Sequence, residues 1–287
     1  MHTSLDWIPC FVRQTLDACR RSSDDPAIHE QVLREVLQWI SEMDLSLSPP
    51  ALAQRIHRRL REITGDENPY EKDKAAHNQL ALGFLPPLEK KVQASGDPLI
   101  EATQLAIAGN IIDLGAKSGL SESDVLAALE HAANVDLTGD LDAYRAAVSS
   151  AKRILYLADN AGEIIFDRLL IEQLGEGRVT VAVRGQPIIN DATRIDAQTA
   201  GLDRIATVID NGSDAPGTLL AECSESFQRC FDEADLIISK GQGNYESLSG
   251  CSHSNIFFLF KVKCPVVAES AQIPLGSHAL LQNQQVL

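Results

Sequence analysis

Positive charge is scarce in this chain. Lys and Arg number 25 against 40 Asp and Glu in 287 residues, a formal net charge of −15. A field of that sign repels phosphate backbones and argues against a nucleic-acid partner. It attracts divalent cations, although most of these carboxylates are solvated surface. The cysteines, at 10, 19, 223, 230, 251 and 264, include no pair at CxxC spacing. A chain of this length needs no covalent staples, so they read as reduced thiols of a cytosolic protein. Long apolar runs are also missing. The best, IFFLF at 256–260, is far short of the roughly 18 residues of a membrane span, so no membrane partner is expected. MHTSLDWIPC lacks a basic stretch followed by an apolar one, so no signal peptide is expected and the location reads as cytoplasmic. The histidines show neither HxxxH nor HExxH spacing, and no GxSxG elbow appears, which removes the zincin and serine-hydrolase readings. There are no internal repeats and no low-complexity tract.

What remains is ordinary globular material, 44% hydrophobic and 23% charged. Its length suits two domains or one large one. The pattern changes near residue 150. Before it, Leu33, Val36, Leu37, Ile40 and Met43 follow helical spacing after Asp25-Pro26. Leu52, Ile56, Leu60 and Ile63 do so after Pro49-Pro50, and a third helical segment runs from about Pro98 to Ala116. Ser121 with Asp124 resembles a capping box. Residues 1–150 therefore read as an all-helical region. After it come strand, turn and helix in repetition: RILYLA (153–158), VTVAV (179–183), ATVID (206–210), DLIIS (235–239), IFFLF (256–260) and PVVA (265–268). Continuous Val, Ile and Leu runs mark strands buried on both faces. Residues 151–287 thus predict an α/β domain with a doubly wound, mostly parallel sheet. The tail QNQQVL reads as frayed.

In such a sheet, ligands bind beyond the carboxyl ends of the strands. Those ends carry Asp159-Asn160, Arg184 with Asn190-Asp191, Asp210-Asn211 with Asp214, and Lys240-Gly241-Gln242-Gly243-Asn244. Asp159 and Asn160 offer hard oxygen donors suited to a divalent cation, and Asp191 supplies a second carboxylate. The same residues would serve equally as turn and helix caps. DNAGE (159–163) opens a helix, with Gly162 allowing close approach of an anion to free N–H groups. Glu163 there either stabilises the helix start or orients substrate. Lys240 is a point charge for phosphate, with N–H groups around Gly241 available to an anion. The GxxxxGK[ST] order of a P-loop is absent, as is the third glycine of a dinucleotide fingerprint. Asp214 lies in another polar loop. In the helical half, Asn110 and Asp113 interrupt an apolar segment and either cap, pair within the bundle, or face the site.

LADNAGEIIFDRLLIEQL, VRGQPIINDAT and SKGQGNYESL, followed by FLFKVKCPVVA, resemble the metal-dependent damage-control phosphatases, long catalogued as a domain of unknown function. The likeness extends through WIPCFVRQTLDA, NPYEKDKAAHNQLAL and LAIAGNIIDLGA, so it covers nearly the whole chain and is similar in layout to the stand-alone prokaryotic branch. The resemblance implies a helical region on a Rossmann-like domain, and a divalent metal (Mn²⁺, Ni²⁺, Co²⁺ or Mg²⁺) held by Asp159, Asn160 and Asp191. It implies Lys240 as a phosphate ligand, and hydrolysis of phosphate monoesters of small metabolites such as sugar phosphates. One position departs from the pattern: where that branch often has a CxxC pair, Cys10 is present but the position three before it is Trp7.

Catalysis would rest on Asp159, Asp191 and Glu163. Arg184, Asn190, Asp214, Asn110, Gly162, Gly241 and Lys240 would hold phosphate or substrate. Water attack ranks above an aspartyl-phosphate route, because a metal-ligating carboxylate is a poor free nucleophile. The competing readings are an S-adenosylmethionine-dependent methyltransferase and a noncatalytic phosphometabolite-binding protein. The paired Asp/Asn donors and the lysine among glycines have no clear use in the former.

Overall fold

Seven strands form one sheet in the computed structural model, which describes residues 1, 3–112, 122–253 and 255–283. The expectations for Asp113, Ser121 and residues 284–287 lie outside that range. The strands are β1 (Leu137–Gly139), β2 (Ile154–Leu157), β3 (Val179–Val183), β4 (Thr207–Asp210), β5 (Leu236–Lys240), β6 (Ile256–Lys261) and β7 (His278–Gln282). Their spatial order is β1-β7-β6-β5-β2-β3-β4. Every neighbouring pair is parallel except β6 with β7. The central strands β2 and β5 are buried along their whole length, which is why β2 and the first three residues of β5 are apolar; the buried Ser239 and Lys240 are the exceptions, at the end of β5.

The chain leaves β2 towards β3 and β4, then returns to place β5 on the other side of β2. That reversal makes the carboxyl ends of β2 and β5 a topological switch point, where neighbouring connections diverge and leave a crevice. Asp159 and Lys240 stand at those two ends.

Helices cover both faces. On one lie α1 (Ile8–Ser22), α2 (Pro26–Glu42) and α3 (Pro49–Thr64). Phe11, Val36, Ile56 and Leu60 from these helices pack with Leu155, Leu157, Ile237 and Phe258 of the sheet. On the other lie α4 (Glu71–Ala94), α5 (Pro98–Ala108), α6 (Glu122–Ala133) and α7 (Leu141–Ser150). There Phe84, Leu105, Leu129 and Tyr144 pack with Ile154, Tyr156, Ile238 and Phe257. Successive residues of β2 thus face opposite cores, as the strand's period of two requires. The later helices are α8 (Glu163–Gln173), α9 (Arg194–Thr199), α10 (Glu225–Glu233), α11 (Gln242–Leu248) and α12 (Pro265–Ala271). No helix among the described residues is long and apolar enough to cross a membrane.

Three local expectations change. PVVA is the start of α12, not a strand: Pro265 occupies its first turn, where a missing N–H costs nothing. The last strand is instead HALLQ, β7, an antiparallel neighbour of β6. The three-residue β1 lies within the stretch read as wholly helical; it is too short to show any alternation.

Candidate active site

The loop after β3 folds back onto the segment after β2. Asn160 and Asp191 form an isolated antiparallel bridge. Ala192 N–H donates to the Asp159 carbonyl (2.7 Å), and Ala161 N–H donates to the Asn190 carbonyl (2.9 Å). These backbone contacts bring Asp159, Asn160 and Asp191 to the wall of one cleft of about 350 Å³, with Asn190 beside them. Trp7 and Cys10 from the α1 end, Ala53 of α3, and Glu246 of α11 line the same cleft. Trp7, three positions before Cys10, sends its indole N–H to Cys264 Sγ (3.3 Å).

Each donor is held by groups around it. Asp191 is only 4% exposed, and its Oδ2 accepts from Arg184 Nε (2.7 Å). Arg184 also donates to Asn244 Oδ1 (3.2 Å). Asn244 Nδ2 in turn donates to the carbonyls of Lys240 (2.7 Å) and Ala158 (3.3 Å), tying the arrangement to the ends of β5 and β2. Asn160 Nδ2 donates to Asp159 Oδ2 (2.7 Å) and to Glu163 Oε2 (3.2 Å). Asn110 Nδ2 donates to the same Glu163 oxygen (3.1 Å), so the interruption in that apolar segment does reach the site.

The carboxylates are crowded. Withdrawal from water, with Glu163 and Asp191 nearby, pushes the Asp159 pKa well above the usual carboxylate range. Withdrawal from water also raises that of Asp191, against the opposing pull of Arg184.

Several expected residues do other work. Lys240 is not an open point charge. Its Nζ is fully buried and donates to Glu163 Oε1 (2.7 Å), Asp167 Oδ1 (2.5 Å) and the Ala106 carbonyl (2.9 Å). Burial alone would lower its pKa; Asp167 and Glu163 outweigh that and raise it. Arg184 is spent on Asp191 and Asn244. The Gly162 N–H, expected to face an anion, donates to Asn78 Oδ1 (2.7 Å). Gly162 is nonetheless required: it has φ +77° and a Cβ there would press on Ile112 and His77. Asp214 is a tether between its loop and α3. Gln54 (2.8 Å), Arg58 and Arg61 all donate to its carboxylate. Burial would raise its pKa, but these donors hold it below the usual range.

Asp167, Asn244, Asn78 and Glu246 were not singled out in the sequence. Asp167 had a readable signal: it lies four residues after Glu163, on the same helix face and amid the Ile, Phe and Leu of that helix. Asn244 and Glu246 lie inside the quoted KGQGNYE segment, where spacing alone does not separate an inward side chain from a capping one.

The fold and the site define an α/β protein of the doubly wound class with a carboxylate-rich cleft at its switch point. The chain belongs to the damage-control phosphatase ARMT1-like domain family, whose sequence pattern matches residues 3–278. It is 36% identical over 272 residues to a damage-control phosphatase of Archaeoglobus fulgidus, covering 93% of this chain and 94% of that one. It is also 36% identical to an uncharacterised protein of Methanocaldococcus jannaschii, over 95% of this chain and 93% of the relative. The crystal structure of a DUF89 family protein from Pyrococcus horikoshii superposes with a TM-score of 0.91 at 31% identity. That match covers 99% of this chain and 100% of the other.

Proposed function

We propose that this protein is a divalent-metal-dependent phosphatase that releases inorganic phosphate from phosphate monoesters of small metabolites, sugar phosphates among them, in the cytoplasm. The observation that carries the reading is the Asn160–Asp191 bridge, which gathers three hard oxygen donors in one cleft. Among the described residues, no set of three or more His, Cys, Asp and Glu side chains forms a metal cage. The third donor is the Asn160 amide. Asp159, Asn160 and Asp191 fit a hard cation such as Mn²⁺, Co²⁺, Ni²⁺ or Mg²⁺ by their chemistry. They fit it also by their crowding, since two carboxylates pushed towards neutrality gain most from a nearby positive charge.

When bound, the ion supplies Lewis-acid polarisation of a phosphoryl oxygen. The protein's own residues orient the donors. Arg184 fixes one oxygen of Asp191. Glu163 accepts from Asn160 and so sets the direction of its amide. Lys240, locked between Glu163 and Asp167, keeps Glu163 in place; it acts as a positioning residue. The convergence of these contacts on one cleft is what a site for a dianionic phosphoryl group needs, because preorganised groups pay no reorganisation cost during reaction.

The test is a phosphate-release screen over phosphorylated metabolites, on protein stripped of metal and then given each ion. Release that depends on added metal is expected. Full release from protein shown metal-free by elemental analysis would overturn the metal assignment, and binding without release would favour a sensor.

A further inference from the structure

All three basic residues of α1 open into one hollow beside the cleft. The hollow measures about 670 Å³. It shares Cys10, Gln14, Ile189 and Asn190 with the cleft that holds Asp159 and Asp191. The two are therefore compartments of one opening. Arg13, Asp17 and Arg20 fall on one face of α1 at positions i, i+4 and i+7. The opposite wall carries Tyr70, Asp73 and His77. His77 abuts Gly162, so the hollow reaches the start of α8.

Two of the arginines are uncommitted. Arg21 pairs with Asp73 and lies over the Tyr70 ring, 5.1 Å from its centroid, which ties α1 to the α4 side. Arg13 and Arg20 have no ion pair among the described residues. A solvated arginine on a helix is ordinary. Two that flank Asp17 on one face, and so leave an excess positive charge in the compartment next to the donor cleft of a chain with net charge −15, are not. An anionic metabolite meets net repulsion from such a chain, and its nonreacting end gains from a local positive patch.

We propose that Arg13 and Arg20 form a second anion subsite. It selects substrates that carry a carboxylate or a further phosphate remote from the ester that is cleaved. The proposal rests on the phosphatase reading for which end reacts. A guanidinium fork matches both carboxylate and phosphate with two parallel hydrogen bonds, so the shared chemistry is a planar or tetrahedral oxyanion. The volume of the hollow suits the body of a metabolite larger than a bare phosphate ester.

The experiment uses three hydrolysis-inert phosphonates of one polyol chain: unsubstituted, with a terminal carboxylate, and with a terminal second phosphonate. Binding to the Mn²⁺-supplemented protein is measured by calorimetry for wild type, Arg13→Gln, Arg20→Gln and the double variant. Circular dichroism confirms folding. In wild type the distal anion should tighten binding about tenfold or more. Each single variant should lose part of that advantage, and the double variant all of it. Whichever distal group gains more identifies the anion. Equal affinity for all three ligands in wild type, an advantage that survives in the double variant, or no binding of any of them overturns the subsite. Phosphate release by wild type is measured in parallel. Discrimination without release leaves the subsite standing and sinks the phosphatase reading; release without discrimination does the reverse.

Discussion

Gly241 and Asp159 compete for the same space: a Cβ at position 241 would collide with the Asp159 carboxylate. Gly241 also has φ +82°, in the left-handed region that favours glycine. The end of β5 is therefore bare so that the carboxylate at the end of β2 can lie across it. This joins two segments 82 residues apart in the chain, at Asp159 and Gly241, into one wall of the cleft.

Gly241→Ala should displace the Asp159 carboxylate. Metal affinity and kcat/KM should fall together, and backbone strain should cost about 1–3 kcal/mol of stability. Metal content, kcat/KM on one phosphorylated sugar and urea unfolding are the measurements. A variant that keeps full metal content and rate would mean that Asp159 is free to lie elsewhere.

Asp159→Ala and Asp191→Ala should each lower metal occupancy and turnover, because each removes a charged oxygen donor. Asp159→Ala should not destabilise the metal-free protein strongly, whereas Asp191→Ala should, because it leaves the buried Arg184 guanidinium without its partner. Withdrawal from water and the neighbouring Glu163 and Asp191 hold the Asp159 carboxyl above its usual pKa, so removing it relieves an unfavourable charge. Elemental analysis and thermal melts of stripped protein check this. A large loss of stability in the stripped Asp159→Ala protein would contradict the crowding argument.

Much of this layout was legible in the sequence because parallel strands buried on both faces must be apolar throughout. VTVAV and IFFLF announce themselves, and the strand-end rule then points to Asp159, Asp191 and Gly241. Partner choice was not legible. Lys240 among glycines looks the same whether it faces solvent or three acceptors. What decides is the Glu163–Asp167 spacing on α8 and the Ala106 carbonyl on α5, from a different part of the chain. Asp214 is similar: its partners Gln54, Arg58 and Arg61 lie over 150 residues away, and nothing local announces them. The strands β1 and β7 escaped for a different reason, being short or flanked by polar residues.

Lys240→Met should be costly to the fold itself. It leaves Glu163 and Asp167 buried without their cation, and breaking such a pair typically costs about 3–5 kcal/mol. Asp167 already titrates near 6, raised by burial against the pull of Lys240. The double variant Lys240→Met with Asp167→Asn should recover part of the loss by removing one unpaired charge. Urea unfolding of the three proteins at neutral pH is the check. If Lys240→Met unfolds at the wild-type midpoint and only KM for substrate changes, the lysine is a phosphate contact after all.

Glu246 gives the remaining prediction, a pH effect on stability. It is 8% exposed and lines the cleft with Asp159. Burial pushes its pKa up from 4.5 to about 7, against a hydrogen bond from Gln242 and the Met1 ammonium. Between those two values the folded protein binds more protons at this residue than the unfolded chain does. The residue's contribution to stability is therefore fully present below pH 4.5 and lost as pH rises through about 7. Across that window the change amounts to roughly 3 kcal/mol. Glu246→Gln cannot ionise and should remove this decline, while its amide oxygen can still accept from Gln242. Urea midpoints for wild type and variant, taken from pH 4.5 to pH 8, should converge at the acid end with the variant more stable at the alkaline end. Parallel pH profiles for the two proteins would show that Glu246 is ionised in the folded state throughout, with water or a cation reaching it from the cleft.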